Sequence, residues 1–86
     1  GHGSKIEKHS YISSHVVISG NCSIGENCFF GVNSSVKDFT KVSNNCFIGM
    51  NAAVTTDLTE GSTVIANKNN IYDSAHRISK IIRKNY

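Results

Sequence analysis

One large apolar residue returns every six positions through most of the chain: Ile6, Ile12, Ile18, Ile24, Phe30, Val36, Val42, Ile48 and Val54. A period of six is neither the 3.6 of a helix nor the two of a lone strand. It predicts a chain that turns a corner every six residues and sends one large side chain inward after each corner. Self-similarity of this kind marks a solenoid, here an all-β parallel helix of hexapeptide repeats.

The other positions of the hexad agree. Counting the large apolar residue as position one, position four reads His9, His15, Asn21, Asn27, Asn33, Phe39, Asn45, Asn51 and Asp57. Asn and Asp tolerate the left-handed backbone region better than other residues with a side chain, so this column predicts one such turn per corner. Position five reads Ser10, Val16, Cys22, Cys28, Ser34, Thr40, Cys46, Ala52 and Leu58, a second inward site with less room. Position two carries Gly25, Gly31 and Gly49 among serines. The register fails at Glu60, where an apolar residue is due, and Val64 and Ile65 are expected to form a last strand.

Beyond a polar linker at Asn67 to Asn70, the spacing changes. Ile71, Ala75, Ile78 and Ile82 recur at helical intervals, which predicts a short C-terminal α-helix over about 71–84. The expected organisation is a solenoid domain over 1–66 and a linker and helix over 67–86. The helix is expected to cap the solenoid or pack against a subunit rather than lie on a membrane or nucleic acid. The hexad register also extends back to Gly1, so the chain reads as starting inside a repeat, with an earlier part cut away. Alternatively, Gly1 to Ser4 are the remnant of a tag.

Composition changes little in this picture. The net charge is a mild +3 over 86 residues, and there is no Pro and no apolar run long enough for a membrane span. Nothing resembles a nucleic-acid module. The three cysteines all fall at position five and read as small buried residues, without metal-ligand spacing. Reduced thiols fit a cytoplasmic protein.

Residues 18 apart are expected to stack on successive coils. Tyr11, Phe29 and Phe47 then form an outward aromatic column, which marks an interface with another subunit or with a ligand's flat ring. His2 stacks with Gly20, Asp38 and Thr56, whereas His9 and His15 occupy turn positions where Asn is usual.

The runs Gly-Asn-Cys-Ser-Ile-Gly-Glu-Asn-Cys-Phe-Phe-Gly-Val-Asn-Ser-Ser-Val (20–36) and Ile-Gly-Met-Asn-Ala-Ala-Val (48–54) resemble the left-handed β-helix acyltransferases. Within them the chain is most similar to the sialic acid O-acetyltransferase and bacterial amino-sugar N-acetyltransferase group. The resemblance implies a left-handed parallel β-helix assembled as a homotrimer, with acetyl-CoA as co-substrate between neighbours and no metal. It implies acetyl transfer to a hydroxyl or amine of a sugar or sugar nucleotide, and an upstream nucleotide-sugar domain. The family's catalytic histidine precedes the inward Ile of its coil by four residues, as His2 precedes Ile6. If Gly1 to Ser4 are foreign, His15 takes its place as the candidate base. Tyr11, Val32 and Met50, with Gly20 nearby, match positions that contact acetyl-CoA, and Lys68 is placed to reach its phosphates.

The chain departs from the family at Gly3, where some members carry an acidic residue, and at Tyr11, where some carry another histidine. It departs again at Ala66-Asn67-Lys68-Asn69, where a Gly-Asn-Pro-Ala-like turn is common. Two other readings stay in view. One is a non-catalytic trimerising module. The other is a zinc enzyme like the γ-class carbonic anhydrases, drawing on His2, His9 and His15.

Overall fold

The computed structural model describes residues 1–66. The predicted C-terminal helix and Lys68 lie outside that range. Ten strands of two residues each follow one another: β1 (Lys5–Ile6), β2 (Tyr11–Ile12), β3 (Val17–Ile18), β4 (Ser23–Ile24), β5 (Phe29–Phe30), β6 (Ser35–Val36), β7 (Lys41–Val42), β8 (Phe47–Ile48), β9 (Ala53–Val54) and β10 (Thr63–Val64). They stack into three parallel sheets, the faces of a triangular prism. Face I holds β1, β4 and β7; face II holds β2, β5, β8 and β10; face III holds β3, β6 and β9. Through β9 each residue pairs with the one 18 further on, as Ile6 with Ile24 and Ile24 with Val42. The molecule is the left-handed β-helix that the hexads predict, and among the described residues it contains no helix.

The corners explain the spacing. His9, His15, Asn21, Asn27, Asn33, Phe39, Asn45 and Asn51 all have φ between 56° and 64°, the left-handed region. At most corners the N–H of this residue donates to a carbonyl of the coil beneath: Asn21 to His2, Asn33 to Ser14, Phe39 to Gly20, Asn45 to Glu26 and Asn51 to Val32. The left-handed turn is therefore also the rung that holds one corner on the next. Corner backbones come close enough that a Cβ on Gly31 would stand 2.6 Å from the Met50 nitrogen, which accounts for glycine there.

Inside the prism Ile24, Phe30 and Ile48 are completely buried, with Val36, Val42 and Val54 nearly so. The position-five side chains fill the space behind each corner and bond to backbone. Ser10 Oγ donates to the Gly25 carbonyl at 2.7 Å and accepts from the Cys28 N–H at 3.0 Å. The Cys28 and Cys46 thiols donate to the Ser43 and Thr59 carbonyls. Ile6, at the foot of face I, is 45% exposed.

The last coil corrects the sequence reading. The break comes before Glu60, between Val54 and Leu58. Val42 bridges to Leu58 and Phe47 pairs with Thr63, so this coil is 16 residues long instead of 18. Leu58 therefore takes the large inward site, not the small position-five site. Asp57 leaves the left-handed column, and its carboxylate accepts the Lys41 N–H at 2.8 Å, replacing a carbonyl that the shortened corner lacks. The register then resumes: Gly61 supplies the left-handed turn at φ 78° and donates to the Asn44 carbonyl. The final strand is Thr63–Val64, and Ile65 lies outside it.

Two outcomes follow. Ile24→Ala should lower unfolding free energy by about 2–5 kcal/mol, because a fully buried side chain leaves a cavity in a stack that cannot close over it. Phe39→Asn should raise stability by about 1 kcal/mol, since a bulky residue in the left-handed region is replaced by the one that tolerates it. Thermal or urea unfolding of the two variants checks both.

Candidate functional site

The outer side of face II carries the aromatic column. Tyr11 and Phe29 stack with ring centres 5.5 Å apart and planes within 5°, and Phe29 and Phe47 follow at 5.1 Å and 10°. The register places the three on adjacent parallel strands, and nothing among the described residues covers them: Tyr11 is 61% exposed and Phe47 46%. Face III presents the smaller Val17, Ser35 and Ala53. Face I presents Lys5, Ser23 and Lys41, with Lys5 paired to Glu7 at 3.3 Å.

The corner between faces II and III continues the apolar surface. Val32 and Met50 stand on successive coils, both exposed, and the Asn51 N–H ties their layers through the Val32 carbonyl. His15 turns this same corner one coil lower, with φ 58°. Of the residues expected to contact acetyl-CoA, Val32 and Met50 share this corner, and Tyr11 lies on the adjoining face II. Gly20 does not join them. It sits at the corner between faces III and I, in one column with His2 and Asp38, where the Asp38 carboxylate accepts its N–H at 3.1 Å. His9 turns the third corner, between faces I and II, at φ 64°. His2, His9 and His15 thus occupy three different corners of the first coil. Among the described residues no three His, Cys, Asp or Glu side chains cluster closely enough to share a metal ion.

Two features escaped sequence reasoning. The first is Phe39, next to Asp38, in the left-handed region and 75% exposed. Its signal was a large aromatic in a column of Asn. The second is a polar hollow of about 330 Å³ on face I and its corner with face II, lined by Glu7, Ser23, Lys41, Ser43, Asn44 and Glu60. Gly25 and the two serines leave that space, and only the folded stack brings the lining together.

Cys22, Cys28 and Cys46 are free and buried. Burial pushes the Cys46 thiol up; the Ser62 backbone hydrogen bond offsets part of the rise, and the stacked Cys28 adds to it. The neutral thiol suits the fold, so its contribution to stability is present below the unfolded thiol pKa and fades as pH climbs toward the raised folded value. At pH 8 iodoacetamide should label Cys46 slowly in the native protein and rapidly once urea unfolds it. Mass spectrometry of the alkylated protein measures this.

Comparison with known families gives two matches. Residues 3–38 match the bacterial transferase hexapeptide, six repeats. Residues 40–67 match the hexapeptide repeat of succinyl-transferase. No curated protein sequence matches the chain significantly. The two repeat families together cover nearly all of the described prism and support the hexapeptide-repeat transferase superfamily. Proteins of this class are commonly acyltransferases that use acyl-CoA donors, and their β-helices typically trimerise. Among the described residues no helix is long and apolar enough to cross a membrane.

Proposed function

We propose that this β-helix is the acyl-transfer part of an acetyl-CoA-dependent enzyme. It works as a homotrimer and acetylates a hydroxyl or amine of a sugar or sugar nucleotide. The observation that carries the reading is the exposed apolar surface formed by Tyr11 on face II and by Val32 and Met50 at its corner, on a chain whose repeats match transferase families. Such a strip suits the pantetheine arm of CoA lying parallel to the prism, and Lys68, outside the described residues, is assigned as a point charge for the phosphates. Three free thiols are consistent with a cytoplasmic setting.

Acetyl transfer from a thioester needs little covalent help from the protein. An imidazole removes the proton from the acceptor as it attacks the thioester carbonyl, and backbone N–H groups meet the oxyanion that forms. The sulfur leaves as the thiol of CoA, taking its proton from the imidazolium. His2 is the base in this reading. It stands on a different corner from the acetyl-CoA edge, so it acts on the donor held by a neighbouring subunit, which makes the site complete only in the trimer. Should Gly1 to Ser4 be foreign, His15, already on the edge with Val32 and Met50, is the base instead.

Three measurements on the full-length protein test this. Sedimentation should give a trimer, and calorimetry should detect CoA binding. His2→Ala should lower kcat for acetyl transfer by about 10²–10⁴-fold with CoA affinity kept, because the base acts in the transition state. His9→Asn should be nearly silent. Activity that survives His2→Ala and dies in His15→Ala moves the site to the neighbouring corner. A trimer that binds CoA and transfers nothing would leave a non-catalytic assembly module.

A further inference from the structure

Phe39 is unusual on two counts. Its backbone adopts φ 60°, which a bulky side chain adopts rarely, and five of the other seven non-glycine residues in that conformation are Asn. Its ring is also 75% exposed, more than any other large hydrophobic side chain among the described residues. Nothing among the described residues compensates for either. Backbone held in a sparsely populated region together with an uncovered aromatic ring points to a role outside the protomer.

The height of the ring along the prism indicates what it meets. Each coil of 18 residues rises by one strand spacing, about 4.8 Å, so Phe39 lies about 2 Å above Val32 and about 3 Å below Met50. A closed threefold ring is built from one contact between two different patches, repeated three times. With the prisms parallel to the axis, rotation preserves height. The corner bearing Val32 and Met50 can therefore face either of two corners of the next copy. The corner between faces I and II offers Lys8, Glu26, Asn44 and Glu60, which are charged or polar. The corner between faces III and I also carries polar residues, Lys37, Asp38 and Thr56, but of the two it alone offers an aromatic ring, Phe39, level with the apolar strip, and His2 lies about 10 Å below it on the same corner.

We infer that Phe39 of one subunit forms the wall opposite Val32 and Met50 of the next, closing the cleft over the pantetheine arm of CoA. This rests on the acetyl-CoA reading above. His2 then reaches the thioester end while the Phe39 ring covers the arm partway toward the nucleotide. The site takes its donor only when a second copy supplies this ring.

The test is Phe39→Asn in the full-length trimer, with Phe39→Tyr as the variant that keeps a ring. Asn is the residue best suited to that corner, so the fold should hold and its Tm should equal or exceed the wild-type value. Calorimetry should show CoA and pantetheine binding weakened about tenfold or more, the loss expected for uncovering one aromatic side chain. Binding of 3′,5′-ADP, which lacks the arm, should be unchanged, and Phe39→Tyr should bind CoA like the wild type. Wild-type CoA affinity in Phe39→Asn would overturn the inference while leaving the acetyl-CoA reading intact. So would a trimer that falls apart in Phe39→Asn, which would make Phe39 a plain subunit contact. Absence of CoA binding to the wild-type trimer would overturn the acetyl-CoA reading itself, and the inference with it.

Discussion

Everything in this molecule depends on one backbone conformation repeated once per hexad. A residue in the left-handed region bends the chain and, at most corners, aims its N–H at a carbonyl of the coil below. Most side chains pay about 1–2 kcal/mol for that conformation. Asn tolerates it better, which is why the column is mostly Asn. The turn fixes the triangular path, the path fixes the 18-residue register, and the register decides which side chains share a column. Core and surface follow from the same geometry: position one enters the prism, and position six leaves it as the stripe of Tyr11, Phe29 and Phe47.

A solenoid of this kind builds a site differently from a globular enzyme. Residues far apart in sequence meet because they share a corner or a face, not because a loop folds over. Val32 and Met50 are neighbours because they are one coil apart, and His2 and Gly20 for the same reason. Among the described residues a single prism spreads its chemistry over three diverging corners. In the proposed trimer, convergence of groups comes from a second molecule, which makes assembly and chemistry one requirement. The polar hollow on face I is shallow for the same reason, being a gap left by small side chains in an otherwise regular wall.

Most of the fold was legible because the hexad period is a strong signal, carried by several columns at once. Ile24, Phe30 and Ile48 are buried where the period puts them, and the aromatic stack stands where an 18-residue repeat predicts. Leu58 was misread because an apolar residue fits either inward column. The compensating interaction, a carboxylate replacing a carbonyl, leaves no hydrophobic trace. The site was legible only in columns. The resemblance grouped Tyr11, Val32, Met50 and Gly20, whereas the 18-residue spacing already set Gly20 in the column of His2, and the structure puts that column on another corner. Phe39 was visible as an exception to its column, yet its exposure became clear only when the neighbouring faces were in place.

The shortened coil has a consequence for how such chains vary. Losing one residue within a strand would turn every following side chain from inside to outside. Losing two at a corner leaves the alternation intact, and a single Asp57 oxygen repairs the missing rung. Corners are therefore the places where this architecture can absorb a change of length. A lineage of hexapeptide proteins can lose residues there and keep its interior, provided that a short acceptor side chain stands beside the gap. Faces can be recoloured by substitution, but only corners can be re-measured.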